Sequence, residues 1–127
     1  MPHAILIVDD ERTFDPARLG LGPDDVLVHA RTSAEGLRRL SGRHWDEVWL
    51  DFDLGGKDTA MPVVRELLRA GHEGAPFDLY RVVVHSANVA VAGRMVEDMG
   101  RFYRAERLYD PRPYLARDKK GRTSGLR

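Results

Sequence analysis

The stretch from Trp45 to Thr59, WDEVWLDFDLGGKDT, limits the folds open to this chain more than any other. A short apolar run, Val48-Trp49-Leu50, ends in two carboxylates one residue apart, Asp51 and Asp53, and then in a glycine pair. A continuous apolar run of that length is what a central strand of a parallel sheet requires, because both of its faces are covered. Ligands of such sheets bind just beyond the carboxyl ends of the strands, which is where Asp51 and Asp53 stand.

The pattern of an apolar run stopped by polar groups occurs twice more. Ala4 to Val8 (AILIV) runs into Asp9, Asp10 and Glu11, and Val82 to Val84 runs into His85, Ser86 and Asn88. VLVHA, Val26 to Ala30, supplies a further strand. The segment before it holds Pro16, Gly20, Gly22 and Pro23, and since glycine and proline cost a helix interior about 1 and 3 kcal/mol each, it has room for a turn or two of helix at most. Thr32 to Leu40 opens with a capping box, Thr32 and Glu35, and places Leu37 and Leu40 on one face. Pro62 to Ala70 carries Val63, Val64, Leu67 and Leu68 as one apolar stripe, with Asp58 or Thr59 as the expected cap and Gly71 as the stop. A third helix is expected from Val91 to Gly100, and a last short strand within Phe102 to Tyr109.

Strands alternating with helices predict βαβ units. The expected fold is a three-layer α/β sandwich around a parallel five-stranded sheet in the flavodoxin-like order 2-1-3-4-5, with the switch point between strands one and three. Asp9, Asp10, Asp51 and Asp53 then converge at one edge. Ser86 reaches the same edge, and His85 is a candidate acid-base group, because an imidazole titrates near neutrality. Side chains alternate along a strand, so His85 and Ser86 are expected on opposite faces unless the strand bends.

Composition narrows the chemistry. The chain has 127 residues, a size for one domain, and no cysteine, so disulfides and thiolate catalysis are excluded. No apolar run approaches the ~18 residues of a membrane span, and MPHAILIVDD lacks the pattern of a signal peptide, so a cytoplasmic protein without membrane contact is expected. The net charge of zero hides an asymmetry: residues 1–100 hold 17 acids and 11 bases, residues 101–127 three acids and nine bases. A basic end points to an anionic partner such as RNA, or to contact with the acidic body.

Clustered carboxylates need neutralising, since at an effective dielectric of about 20 each pair at 4 Å costs on the order of 4 kcal/mol. A hard divalent cation, Mg²⁺ foremost, does this and leaves positions for a phosphate oxygen. The alternatives are a raised carboxyl pKa or a nearby cation, Lys57 being the closest in sequence.

These residues resemble a response-regulator receiver domain, on ILIVDDE (Ile5 to Glu11), WLDFDLGG (Trp49 to Gly56) and VVVHSA (Val82 to Ala87). The resemblance implies that Asp9 and Asp10 help hold Mg²⁺, that Asp51 is the phosphorylatable carboxylate, that the Asp53 carbonyl completes the metal shell and that Ser86 is the switch hydroxyl. The chain departs from ordinary receivers in lacking Lys-Pro after the last strand, where only Arg107 or Arg112 stands nearby, in a shrunken first helix and in a missing last helix. It is more similar to the cyclic-phosphate processing receiver domains, on ARTSAEGL (Ala30 to Leu37), WDEVWLDFDLGG (Trp45 to Gly56), TAMPVV (Thr59 to Val64), GAPF (Gly74 to Phe77) and VHSAN (Val84 to Asn88). That likeness implies a receiver-like domain over residues 1–109; it is silent on residues 110–127, where two prolines and the run DKKGRTSGLR give no helical pattern and a basic irregular tail is expected. It also implies action on cyclic phosphate ends of RNA or nucleotides.

Three function classes follow. The first is a metal-dependent phosphoesterase, with Asp9, Asp10, Asp51 and Asp53 at the metal and Asp51, His85 and Ser86 as catalytic groups. The second is a phosphoacceptor receiver, and the third a metal- or RNA-binding module without turnover. The reduced helices also leave one sheet face to be covered, either by the tail with Tyr109, Tyr114 and Leu115 or by a second copy in a homodimer.

Overall fold

The computed structural model describes residues 2–118 and 120–123. Five strands, β1 (Ala4–Val8), β2 (Val26–Ala30), β3 (Glu47–Leu50), β4 (Arg81–Val84) and β5 (Ala105–Arg107), form one parallel sheet in the order β2-β1-β3-β4-β5. Three α-helices connect them: α1 (Ser33–Gly42), α2 (Met61–His72) and α3 (Val89–Met99). The expected parallel five-stranded α/β sheet and its strand order are therefore observed. β1, β3 and the last three residues of β4 are buried on both faces, as their unbroken apolar sequences require.

All three helices lie on one face. Leu6, Val8, Val48, Leu50, Val82 and Val84 point into it and meet Leu40 of α1, Val63 and Leu67 of α2, and Met95 and Met99 of α3. Thr32 caps α1 as the capping box predicts, its hydroxyl accepting from the N–H of Glu35 at 3.1 Å. Asp58 does not cap α2. Its carboxylate accepts instead from the N–H and hydroxyl of Ser33, which ties the loop after β3 to the start of α1. Gly71 does not stop α2 but lies within its last turn, where a Cβ would come within 2.3 Å of the Phe102 ring. Only glycine permits that approach.

The opposite face has no helix among the described residues. Ile5, Ile7, Trp49 and Val83 project into it and are covered by irregular chain: Phe14 from the loop after β1, and Tyr114 and Leu115 from beyond β5. Phe14 and Leu115 are 1% and 0% exposed and form an antiparallel bridge, extended by hydrogen bonds from the Asp15 N–H to the Tyr114 carbonyl and from the Ala116 N–H to the Thr13 carbonyl. A single 3₁₀ turn, Arg112–Tyr114, sets Tyr114 edge-on to Trp49 with ring centroids 6.1 Å apart. The chain covers this face itself, so the face gives no ground for a homodimer. No described helix is long and apolar enough to cross a membrane. Lys119 and residues 124–127 of the basic segment lie outside the described residues.

Candidate functional site

The carboxyl ends of β1, β3 and β4 open into a cleft of about 840 Å³. Asp9 and Asp10 follow β1, and Asp51 follows β3; among the described residues their carboxylates form a cluster in which one oxygen from each lies within 4.8 Å of the others. Sheet register explains the meeting. Val8 pairs with Leu50 across β1 and β3, so the next residues of the two strands emerge side by side. Asp53 lines the same cleft but turns its Oδ1 to the N–H of Gly55 at 3.1 Å. Gly55 sits at φ +87, and a Cβ there would come within 3.0 Å of an Asp10 oxygen, so glycine serves both the turn and the room for that carboxylate.

Asp9 is wholly buried and fully engaged. Its Oδ1 accepts from the N–H groups of Glu11 and Arg12, both at 2.9 Å, and its Oδ2 from His85 Nε2 at 3.1 Å and Arg12 Nη1 at 3.3 Å. Burial alone raises a carboxyl pKa, but the hydrogen bonds from the His85 side chain and the Arg12 main chain, with the Arg12 charge, outweigh it, holding Asp9 below the usual range. Asp51 shows the opposite balance. Burial and the neighbouring Asp9 charge push it up to about 6, against the smaller pull of His85 and Arg12.

β4 delivers His85 and Ser86 to opposite faces, as alternation predicts. Ser86 lines the cleft; its Oγ accepts from the Asn88 N–H at 3.2 Å, leaving the hydroxyl hydrogen for another acceptor. His85, 2% exposed, packs edge-on against Phe14 with ring centroids 5.3 Å apart and reaches the cluster only through Asp9. An ionised carboxylate only accepts, so Nε2 carries the hydrogen; Nδ1 is buried without a partner. Asn88 caps α3 through Oδ1, 3.2 Å from the Val91 N–H.

The cation beside the cluster is Arg12, whose Nη1 is 3.2 Å from Asp51 Oδ2; Lys57 is exposed on the loop beyond. The sequence reading missed Arg12. Its signal was its place three residues after Asp9, within reach once the chain turns at the strand end. Arg107 lies at the end of β5 and donates to the main-chain carbonyls of Val89 and Ser86, at 3.1 and 3.3 Å, while Arg112 pairs with Asp110.

The donor set is all oxygen and anionic, the chemistry of a site for a hard divalent cation such as magnesium or calcium. Asp10 and Asp51 face the cleft and fit direct ligation. Asp9, with both oxygens already accepting two hydrogen bonds, fits a supporting place behind them.

A parallel sheet in this order with carboxylates gathered at its switch point defines a receiver-like domain. The chain belongs to the cyclic-phosphate processing receiver domain family, whose model matches residues 4–101. Solved structures of similar fold include a response regulator from Thermotoga maritima, at 20% identity and a TM-score of 0.57, covering 85% of this chain and 84% of that one. A CheY-like receiver domain from Methylobacillus flagellatus is 15% identical with a TM-score of 0.52, covering 86% and 87%. A response regulator from Burkholderia pseudomallei, solved with a phosphorylated aspartic acid, calcium ion and citrate, is 18% identical with a TM-score of 0.56; 85% of this chain matches 61% of that chain's length. Curated protein sequences give no match.

Proposed function

We propose that this domain binds and opens cyclic phosphate ends of RNA or nucleotides, with Asp10 and Asp51 as ligands of a Mg²⁺ ion, Asp9 behind them and Asp53 at the mouth. The observation that carries the reading is the open cleft lined by Asp10 and Asp51 of the carboxylate cluster and by the Ser86 side chain, with Asp9 buried behind them. Its volume of about 840 Å³ has room for a nucleoside beside the phosphate. When bound, the cation supplies Lewis-acid stabilisation of the phosphate's non-bridging oxygens.

The chain's own groups do the rest. Asp51, set at the end of β3 on the wall of the cleft, is the carboxylate that takes a proton from the attacking water. The new P–O bond forms to that water oxygen as the bond to one ribose oxygen breaks, and the departing oxygen takes a proton from solvent in the open cleft. The Ser86 hydroxyl donates a hydrogen bond to the departing oxygen. His85 acts through Asp9, holding that carboxylate in place from the covered face.

With Mg²⁺ and a 2′,3′-cyclic mononucleotide, the wild type releases a linear monophosphate and Asp51→Asn does not. Equal rates in the two proteins would sink the enzymatic reading. The place of Asp51 at the end of β3, across from Ser86, also supports a phosphoacceptor role. Incubation with acetyl phosphate tests it: a stable mass gain of one phosphoryl group, absent in Asp51→Asn, favours the receiver reading. A protein that binds Mg²⁺ but does neither is a binding module, and the possible RNA contact of its basic end is then its function.

A further inference from the structure

Resting on that reading of the cleft, we propose that Arg12 is a resident counter-ion that gives up its place to a divalent cation and then becomes the guanidinium that grips the phosphate. Among the described residues, Arg12 is the one cationic side chain lining a cleft whose wall also carries Asp10, Glu11, Asp51 and Asp53. A phosphate entering so acidic a cleft needs positive charge from the chain as well as from a metal. Arg107, the base at the end of β5, does not line this cleft: its Nη1 and Nη2 hold main-chain carbonyls, its Nε is buried without a partner and its guanidinium lies 4.7 Å from the Tyr109 ring centre.

The main chain and the side chain of Arg12 are held very differently. Its N–H is bound by Asp9 Oδ1 at 2.9 Å and its carbonyl by Arg31 Nη1 at 2.6 Å; Arg31 also bonds the Asp9 carbonyl and the Thr13 hydroxyl, so the loop backbone is pinned. The guanidinium touches the acids through a single nitrogen. Nη1 is shared between Asp9 Oδ2 at 3.3 Å and Asp51 Oδ2 at 3.2 Å, both longer than the roughly 2.7–2.9 Å of a good charge-assisted bond. Nε is buried with no hydrogen-bond partner. A planar fork with spare donors beside acids it holds loosely is poised to exchange them for two phosphate oxygens, the geometry that guanidinium matches best.

The exchange follows from charge. Arg12 Nη1 is bonded to an oxygen of Asp51, one of the groups a cation would use. A guanidinium and a divalent ion 4 Å apart repel by on the order of 8 kcal/mol at an effective dielectric of 20. They do not share these acids. A cation that enters displaces Arg12 into the cleft, and a phosphate that follows meets both, so metal and phosphate bind cooperatively.

Calorimetric titration of the full chain with MgCl₂ alone, with inorganic phosphate alone and with phosphate at saturating Mg²⁺ tests this. In the wild type, Mg²⁺ is expected to tighten phosphate binding at least tenfold. Arg12→Gln is expected to bind Mg²⁺ at least tenfold tighter, because its competitor is gone, and to bind phosphate with Mg²⁺ present at least tenfold more weakly. Arg12→Lys keeps a charge without the fork; it restores the wild-type Mg²⁺ affinity but not the phosphate affinity. Thermal melts check folding, and if Arg12→Gln fails to fold, Arg12→Lys decides on phosphate alone. Unchanged or weaker Mg²⁺ binding in Arg12→Gln, no coupling in the wild type, or phosphate affinity in Arg12→Lys equal to wild type would overturn the proposal. These titrations do not depend on turnover. A wild type that couples Mg²⁺ to phosphate yet leaves cyclic nucleotides intact keeps this role for Arg12 and removes the hydrolytic one.

Discussion

Strand β3 carries an acid at each end, and the two are treated in opposite ways. At its start, Glu47 is buried and every bond it needs is made: Oε1 accepts from Arg81 Nε and Trp49 Nε1, Oε2 from His3 Nε2, and Arg81 passes on to Glu106 at 2.8 Å. Burial pushes the Glu47 carboxyl up, but those hydrogen bonds outweigh it and hold the group below its usual range. Just past its end, Asp51 is nearly as buried but shares one loosely held arginine nitrogen with Asp9, and its carboxyl stands near 6. A buried polar network that is complete fixes structure, whereas one left short of partners is costly unless a ligand completes it. The first end reads as a clamp and the second as a site.

The comparison breaks most readily at Glu47. Glu47→Ala leaves Arg81 half-buried beside Trp49 without its main partner, and removing one member of a buried pair costs about 3–5 kcal/mol. A urea titration is expected to show that loss. A cost under about 1 kcal/mol would mean that this end is no more structural than the other.

Asp51 should behave in the reverse sense. Its folded pKa of about 6 lies above the unfolded 3.8, so between those values the folded state holds more protons than the unfolded. The contribution is fully present below pH 3.8 and is lost as pH rises through 6. Two pKa units correspond to about 3 kcal/mol, and the open cleft screens this to roughly 1–2 kcal/mol. In EDTA, the melting temperature of the wild type is therefore expected to carry a falling contribution from pH 4 to 7 that Asp51→Asn lacks, with the variant the more stable at pH 7. Asp9, held low, works in the other direction and only below about pH 4. Identical pH profiles for wild type and Asp51→Asn would remove the claim that the cluster is under charge strain.

The difference between the ends also governs what the sequence revealed. β1 begins and ends where its apolar run does, and β3 ends with its own, because burial on both faces leaves a continuous signal. The acids at the carboxyl edge were legible for the same reason, each being the first polar residue after such a run. Partners set by tertiary reach were not. Asp58 beside α2 looks like a cap, but the loop carries it to Ser33; Lys57 is nearest in sequence to Asp51, but Arg12, 39 positions away, is nearest in space. The Glu47 clamp was missed entirely, since a glutamate opening an apolar run resembles an ordinary solvent-facing strand start. Phe14 was lost in a segment whose glycines and prolines spoke only against helix. Its bridge to Leu115 shows that the covering of the second face needs both distant stretches at once.

The smallest effect sharpens the contrast by locating the strength of the clamp. His3 Nε2 bonds Glu47, yet its side chain is 37% exposed, and ion pairs in contact with water contribute little because solvent screens them and ordering the side chain costs entropy. Arg81, by contrast, lies over the Trp49 ring and bridges Glu47 to Glu106. His3→Ala is therefore expected to cost no more than about 1 kcal/mol, well below Glu47→Ala, and to leave Mg²⁺ binding at the far end of the sheet unchanged. If His3→Ala costs as much as Glu47→Ala, the clamp depends on its exposed member rather than on Arg81. If it also alters Mg²⁺ affinity, the two ends of β3 are coupled and cannot be read as separate structural and functional networks.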